Sequence, residues 1–134
     1  MRLSGLILLA ILVLSGCGTG TYGRLPKEGV AGLDGIYRGD ASLSLGRTNC
    51  PKEVPYTVTV RNGMAYGEVY NPRDSKAVSG RFEALIDAEG KIGTKVWVGG
   101  DETLVEGFFD LDRFLGSTKS ENCTNRLTLR RVRS

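Results

Sequence analysis

The chain has 134 residues, 19 of them glycine, and a formal net charge of +3. This length suits one domain, and so small a positive excess does not indicate a nucleic-acid partner. The sequence contains no histidine, so it lacks the commonest general base and the commonest transition-metal ligand. We therefore expect no enzymatic activity, no metal site and no cofactor.

The first residues have the features of an export signal. Arg2 gives a positive start, and residues 3–14 are almost entirely apolar. This run is too short for a membrane-spanning helix, which needs roughly 20 residues. The run ends in the sequence Leu14, Ser15, Gly16 and Cys17.

These four residues resemble the lipobox of bacterial lipoproteins, in which an apolar residue and two small residues precede a cysteine. The resemblance implies lipid transfer to the Cys17 thiol, with residues 1–16 removed as the signal peptide. Two or three acyl chains attach a protein to a membrane far more firmly than one. Gly18 follows the cysteine where an aspartate would favour the inner membrane, so we expect the outer membrane, at its periplasmic face or surface. The alternatives are a secretory signal with a chance cysteine and a short membrane anchor.

Residues 17–33 are predicted to be the lipidated cysteine and a flexible tether. They are rich in glycine and show neither the apolar period of a strand nor that of a helix. A flexible chain of this length spans about 20–25 Å, which holds a folded domain near the membrane. The folded domain is then predicted to cover residues 34–134.

From residue 34 onward, apolar and polar residues alternate, which is the pattern of half-buried β-strands. The clearest strand covers residues 54–61 and is followed by Asn62-Gly63, a strong hairpin signal. No amphipathic helix is apparent. Eight strands are predicted, at residues 34–45, 54–61, 64–70, 77–86, 91–98, 103–110, 113–118 and 127–132.

Two cysteines, Cys50 and Cys123, remain once Cys17 is assigned to the lipid. In an oxidising envelope such a pair indicates a disulfide. A reactive thiol or a metal pair has no histidine or neighbouring cysteine to support it. The two cysteines flank the first and last predicted strands, so their bond requires those strands to meet. We therefore predict an all-β fold: an eight-stranded antiparallel up-and-down meander closed into a small barrel, with a β-sandwich as the alternative.

The alternation also predicts which side chains fill the barrel. Gly80 and Gly107 have inward parity, where they let the strands bend and leave space for aromatic rings or for a ligand. The aromatic residues expected to fill that space are Tyr66, Phe82, Phe109 and Phe114. The predicted inward set is Ile36, Tyr56, Val58, Val60, Val78, Phe82, Ile92, Val96, Val98, Val105, Phe109, Phe114, Leu127 and Leu129.

Trp97 and Phe108 have outward parity on their strands, and they are the candidate contact residues for an envelope protein or a host protein. Outward aromatic residues contact partners, or they pair across neighbouring strands. Near the C-terminus lies a basic cluster that either touches anionic lipid headgroups or faces solvent. Its members are Arg126, Arg130, Arg131 and Arg133.

Residues 35–132 look like small, uncharacterised proteobacterial envelope proteins in the order of their features. These features are Gly35-x-Tyr37-x-Gly39, two distant cysteines, Val-x-Gly-x-Phe strands and a closing Leu-Thr-Leu-Arg-Arg. The resemblance is a pattern of strands and glycines, so it implies no activity. We expect a non-enzymatic binding module held by a lipid anchor. The alternative is a carrier of small ligands that uses the barrel interior.

Overall fold

The computed structural model describes residues 23–133, so the predictions for Cys17 and the preceding lipobox residues lie outside the described residues. A short 3-10 helix, Gly29–Leu33, precedes eight strands. The predicted eight-stranded antiparallel meander is confirmed. Its strands are β1 (Gly35–Gly46), β2 (Glu53–Arg61), β3 (Met64–Asn71), β4 (Asp74–Leu85), β5 (Lys91–Val98), β6 (Asp101–Asp110), β7 (Arg113–Lys119) and β8 (Cys123–Arg131).

All eight strands belong to one sheet, in the order β4-β3-β2-β1-β8-β7-β6-β5. The first and last strands pair from Tyr37 opposite Arg131 to Gly46 opposite Cys123. The sheet therefore curls until β1 and β8 meet, as the two cysteines predict. The two edges are β4 and β5, which are consecutive in sequence but are not neighbours in the hydrogen-bonded order. The barrel is thus nearly closed, with a seam between β4 and β5.

Packing brings the two edges of the seam together. Gly80 on β4 lies against the backbone of Trp97 on β5: a Cβ atom at Gly80 would stand 2.5 Å from the Trp97 carbonyl oxygen. The Thr94 hydroxyl donates a long hydrogen bond of 3.5 Å to the carbonyl of Glu83 across the same seam. Glycine at position 80 is therefore required by the close approach of two backbones, and any side chain there would push the edges apart.

Side chains fill the centre of the barrel. The rings of Tyr37 and Phe114 both meet Phe109 edge to face, with centroid distances of 5.1 and 5.0 Å. Such pairs contribute about 0.5–1.5 kcal/mol beyond the area they bury. The other largest fully buried side chains are Leu33, Leu127, Leu129, Val58, Val60, Val69 and Val105.

Two predicted inward positions, Ile36 and Tyr66, are wrong. Ile36 is 41% exposed, and Tyr37 points inward instead. Val78 is only half-buried, since the β3–β4 register shifts beside it. Tyr66 lies on the outer face under the guanidinium of Arg61, 5.4 Å from the ring centroid. The residues on either side of Tyr66 in β3 take the inward positions. The other predicted residues are buried, except Val98, which is half-buried against the core.

Residues 23–33, which were predicted to belong to the tether, pack against one end of the barrel. Leu33 is fully buried, and Leu25 and Val30 lie against the core. The Arg24 N–H donates to the Asp110 carboxylate over 2.9 Å, so the segment is also held by hydrogen bonds. Ordered packing therefore begins upstream of the predicted boundary at residue 34.

Candidate functional site

The loops of the meander fall at two opposite ends of the barrel. The N-terminal end carries residues 23–34, the turn between β4 and β5, the turns at Asn62-Gly63 and Leu111-Asp112, and the C-terminal residues 132–133. The disulfide end carries the loops between β1 and β2, β3 and β4, β5 and β6, and β7 and β8. These two ends differ in what they can bind.

The predicted bond between Cys50 and Cys123 is confirmed, with Cα atoms 5.8 Å apart. It ties the loop after β1 to the first residue of β8. Because Gly46 already lies opposite Cys123 in the β1–β8 ladder, the bond fixes the rim where the first and last strands meet. The two cysteines are 73 positions apart in the sequence, so the bond closes a long loop.

A cavity of about 140 Å³ opens beside this disulfide. Four polar side chains are buried around it: Tyr56, Thr103, Thr118 and Asn125. A cavity of comparable volume in another protein accommodates benzene, so this one suits only a small molecule. The rest of its lining is Pro51, Val54, Val98, Asp101, Ser120 and Cys123.

Hydrogen-bonding groups determine the chemistry of this cavity. Burial raises the pKa of Tyr56 to about 12, although a hydrogen bond with Thr118 partly opposes the shift. Tyr56 therefore stays a neutral phenol at physiological pH. The Asn125 amide donates to the carbonyl of Ala41 over 3.5 Å. The cavity is thus lined by hydroxyl and amide groups, three of which take part in hydrogen bonds within the protein.

Trp97 is 65% exposed and lies close to the disulfide end of β5. Its neighbour across the ladder is Glu102, which forms an ion pair with Lys95 over 3.4 Å. A surface groove beside the indole is also lined by Leu104 and Lys119. Trp97 therefore combines an exposed aromatic surface with a charged surround.

The structure does not bring Phe108 and Trp97 together. Phe108 lies opposite Lys91 and Leu115 and is half-buried. Phe108 lies six residue steps along β6 from Glu102, the residue opposite Trp97. Six steps correspond to about 20 Å of strand. The two candidate contact residues therefore do not form one patch, and Trp97 is the one exposed at the disulfide end.

The N-terminal end contains a buried network that the sequence interpretation missed. The Tyr37 hydroxyl donates to the carbonyl of Leu33 over 2.7 Å. Arg131 donates to the Tyr37 oxygen over 2.7 Å and to the Gly32 carbonyl over 2.9 Å. Burial raises the pKa of Tyr37, and the Arg131 hydrogen bond opposes that shift. The sequence does contain a signal for this network, because Arg131 lies on the same inward face of its strand as Leu127 and Leu129.

Comparisons with known proteins give no match to a family profile, a curated protein or a solved structure. In the described part of the chain, no helix is long and apolar enough to cross a membrane. Residues 23–133 also hold no group of three or more His, Cys, Asp or Glu side chains arranged for a metal ion. The side chains at the two barrel ends are therefore the basis for a functional proposal.

Proposed function

We propose that this chain is a lipid-anchored, non-enzymatic binding module of the bacterial envelope. Its disulfide end contacts another macromolecule, an envelope protein or a host protein, through Trp97. The observation that carries the proposal is the exposure of Trp97, which is 65% accessible at the barrel end farther from residues 23–33. Aromatic residues of this kind are enriched among the side chains that dominate binding at protein interfaces.

The path of the chain supports this orientation. The lipobox resemblance places the lipid on Cys17, and Gly23 lies against Asp110 at the N-terminal end. The six residue steps from Cys17 to Gly23 reach at most about 20 Å. A lipid on Cys17 would therefore hold the N-terminal end within about 20 Å of the bilayer, with Trp97 at the opposite end of the barrel.

The packed interior favours binding at the surface over transport inside the barrel. Tyr37, Phe109 and Phe114 occupy the centre and are buried to within about one per cent of their surface. An elongated or bulky ligand has no space there. This arrangement supports the interaction module over the carrier.

The cavity at the disulfide end supports a second candidate, which is the binding of a small polar molecule. Its volume is about 140 Å³, and its lining includes the side chains of Tyr56 and Thr118, whose hydroxyls are groups that hydrogen-bond small polar molecules. Such a ligand would act at the same end of the barrel as Trp97.

Replacement of Cys17→Ser tests the anchor. Cells labelled with a fatty acid are fractionated, and the wild-type chain is expected to carry the label in the membrane fraction while the variant does not. The matched control is the double variant Cys50→Ala/Cys123→Ala, which keeps Cys17 and must still be labelled. Uptake of label by the Cys17→Ser chain would refute the anchor.

A photo-crosslinking amino acid at position 97 tests the contact surface in living cells. The expected result is a discrete adduct of fixed mass at position 97 and none at Ile36, which is 41% exposed near the other end. Native mass spectrometry of the purified protein then separates the two candidates. A bound small molecule without any adduct at position 97 would favour the cavity over the surface.

A further inference from the structure

Three arginines from neighbouring strands stand side by side on the outer face, near the N-terminal end. Arg38 on β1 lies opposite Arg130 on β8, and Arg130 lies opposite Arg113 on β7. We call these three residues the arginine row. Residues directly opposite in a sheet have Cβ atoms about 4.5–5.5 Å apart, and like charges so placed are destabilising. The fold therefore keeps an arrangement that costs it stability.

The charge of the arginine row is only partly neutralised. Arg113 forms an ion pair with Asp110 over 2.8 Å. Arg38 and Arg130 are exposed, and within residues 23–133 neither forms an ion pair. Arg133 is also exposed, and it borders a groove together with Arg113 and Arg130.

Two further acidic residues lie near the arginine row, but neither neutralises its positive charge. Asp112 borders the same groove, but its ion pair is with Arg131, over 3.6 Å. Arg131 is already engaged by Tyr37 and Gly32. Asp40 follows Arg38 on the same face of β1 and lies opposite Thr128. In the structure described for residues 23–133, Asp40 forms no ion pair with the arginine row.

The arginine row lies at the end of the barrel where the chain arrives from Cys17. Gly23 sits against Asp110, which pairs with Arg113 of the arginine row. The chain between Cys17 and Gly23 reaches at most about 20 Å. A lipid on Cys17 would keep these arginines within reach of the membrane surface, where anionic headgroups attract basic side chains.

We propose that the arginine row, together with Arg133, is a docking surface for the anionic lipid headgroups of the membrane that carries Cys17. This inference rests on the proposed lipid anchor. Guanidinium groups suit this task, because each can bind two oxygens of a phosphate at once. The docked barrel stands on its N-terminal end, and Trp97 points away from the bilayer.

Trp97 is itself the probe for this orientation, because the sequence contains one tryptophan. It lies six residue steps along β5 from Lys91, the first residue of that strand. Trp97 is therefore about 20 Å from the N-terminal end of the barrel. The mature lipidated protein is placed in vesicles whose headgroups carry a dansyl acceptor. One set is pure phosphatidylcholine, and the other contains added phosphatidylglycerol. A docked barrel holds Trp97 away from the acceptors, whereas a freely tethered one lets it approach them.

We expect less energy transfer from Trp97 on phosphatidylglycerol vesicles than on phosphatidylcholine vesicles, and loss of this difference at high salt. The triple variant Arg38→Gln/Arg130→Gln/Arg133→Gln is expected to give equal transfer on both. The matched control Arg47→Gln/Lys52→Gln/Arg73→Gln removes three exposed positive charges at the disulfide end and is expected to behave as the wild type. Equal transfer for the wild-type protein on both vesicles would overturn the docking surface, and so would loss of the difference in the control variant.

Flotation of the vesicles separates this proposal from the anchor. A protein that does not float with phosphatidylcholine has no working anchor, and that result bears on the proposed function. Its binding to phosphatidylglycerol vesicles then still measures the docking surface. Each arginine is expected to contribute about fivefold, so the triple variant should bind roughly a hundredfold more weakly. For a chain without a working anchor, unchanged flotation of the triple variant with phosphatidylglycerol vesicles would overturn the proposal, and for an anchored chain unchanged energy transfer in the triple variant would do so.

Discussion

The two ends of the barrel are closed in different ways. At the N-terminal end, residues 23–33 fold back and insert Leu33 into the core, where Tyr37 and Arg131 bind the segment through hydrogen bonds. At the disulfide end, the bond between Cys50 and Cys123 fixes the rim and leaves a cavity beside it. One end is closed by packing and the other by a covalent cross-link.

Under the proposed function, this difference separates the end that attaches the protein from the end that binds a partner. The packed end is filled by the fully buried side chains of Leu33 and Tyr37. Its outer face carries the arginine row, so its chemistry suits a flat charged surface. The cross-linked end keeps both a cavity and an exposed indole, because a disulfide fixes two strands without filling the space between them. Binding that requires shape is therefore expected at the disulfide end.

The largest expected effect comes from removing the cross-link. The double variant Cys50→Ala/Cys123→Ala should lose about 2–4 kcal/mol of unfolding free energy, because the unfolded chain is no longer constrained across most of the domain. Thermal unfolding measures this loss as several degrees of melting temperature for each kcal/mol. The wild-type protein under reducing conditions is the control and should match the variant. An unchanged melting temperature would contradict the cross-link.

Removing the packed contact at the other end should cost slightly less. Leu33→Ala deletes a fully buried side chain, which is expected to cost about 2–3 kcal/mol, since segment 23–33 lies at a barrel end and can adjust. Val30→Ala, at a half-buried position, is the control and should cost less. Hydrogen exchange should speed up in residues 23–37 and stay slow around the disulfide. Equal effects of the two substitutions would mean that Leu33 does not hold this end closed.

A third effect belongs to the cavity at the disulfide end. The pKa of Tyr56 is raised from 10.0 to about 12, so folding favours its neutral form. Its contribution is fully present below pH 10 and is lost as the pH rises from about 10 to 12, by roughly 2 kcal/mol. Chemical denaturation across this range should show a steeper loss for the wild-type protein than for Tyr56→Phe. Parallel curves would show that Tyr56 is accessible to water.

The strands, the turns and the disulfide could be predicted because each has a local signal. Alternation marks the strands, and the Asn62-Gly63 hairpin has the positive φ angles of 49° and 80° that its residues favour. The predicted two-residue turn at Leu111-Asp112 is also confirmed, even though Leu111 has a φ of 54°. The disulfide followed from counting cysteines and from the order of the strands.

The remaining features depend on contacts that no local pattern specifies. Tyr37 and Ile36 compete for the inward position in a strand whose other inward residues, such as Gly39 and Ala41, are too small to fix the parity. Parity gave the outward direction of Trp97 and Phe108, but not the distance between them along the strands. The seam between β4 and β5 depends on how the whole sheet twists, which short sequence windows do not encode.

The smallest expected effect tests the hydrogen bonds of the N-terminal end. The carboxylate of Asp110 accepts hydrogen bonds from the Arg24 backbone over 2.9 Å and from Arg113 over 2.8 Å. Both contacts lower the pKa of Asp110 from its ordinary value of 3.8, and the hydrogen bond from the Arg24 backbone is the larger cause. A lowered pKa contributes stability above that ordinary value, and this stability is lost as the pH falls through the folded-state pKa.

Asp110→Asn should therefore cost about 1 kcal/mol at neutral pH, because both arginine partners are partly exposed and solvent weakens the pairing. Near pH 3 and below, the difference from the wild-type protein should shrink. Denaturant titrations at the two pH values measure both numbers. Asp112→Asn is the matched control, since its carboxylate is 72% exposed and 3.6 Å from Arg131, and it should change stability less. A pH-independent difference for Asp110→Asn would mean that the ionised carboxylate does not hold residues 23–33 against the barrel, and the packing of Leu33 alone would then close that end.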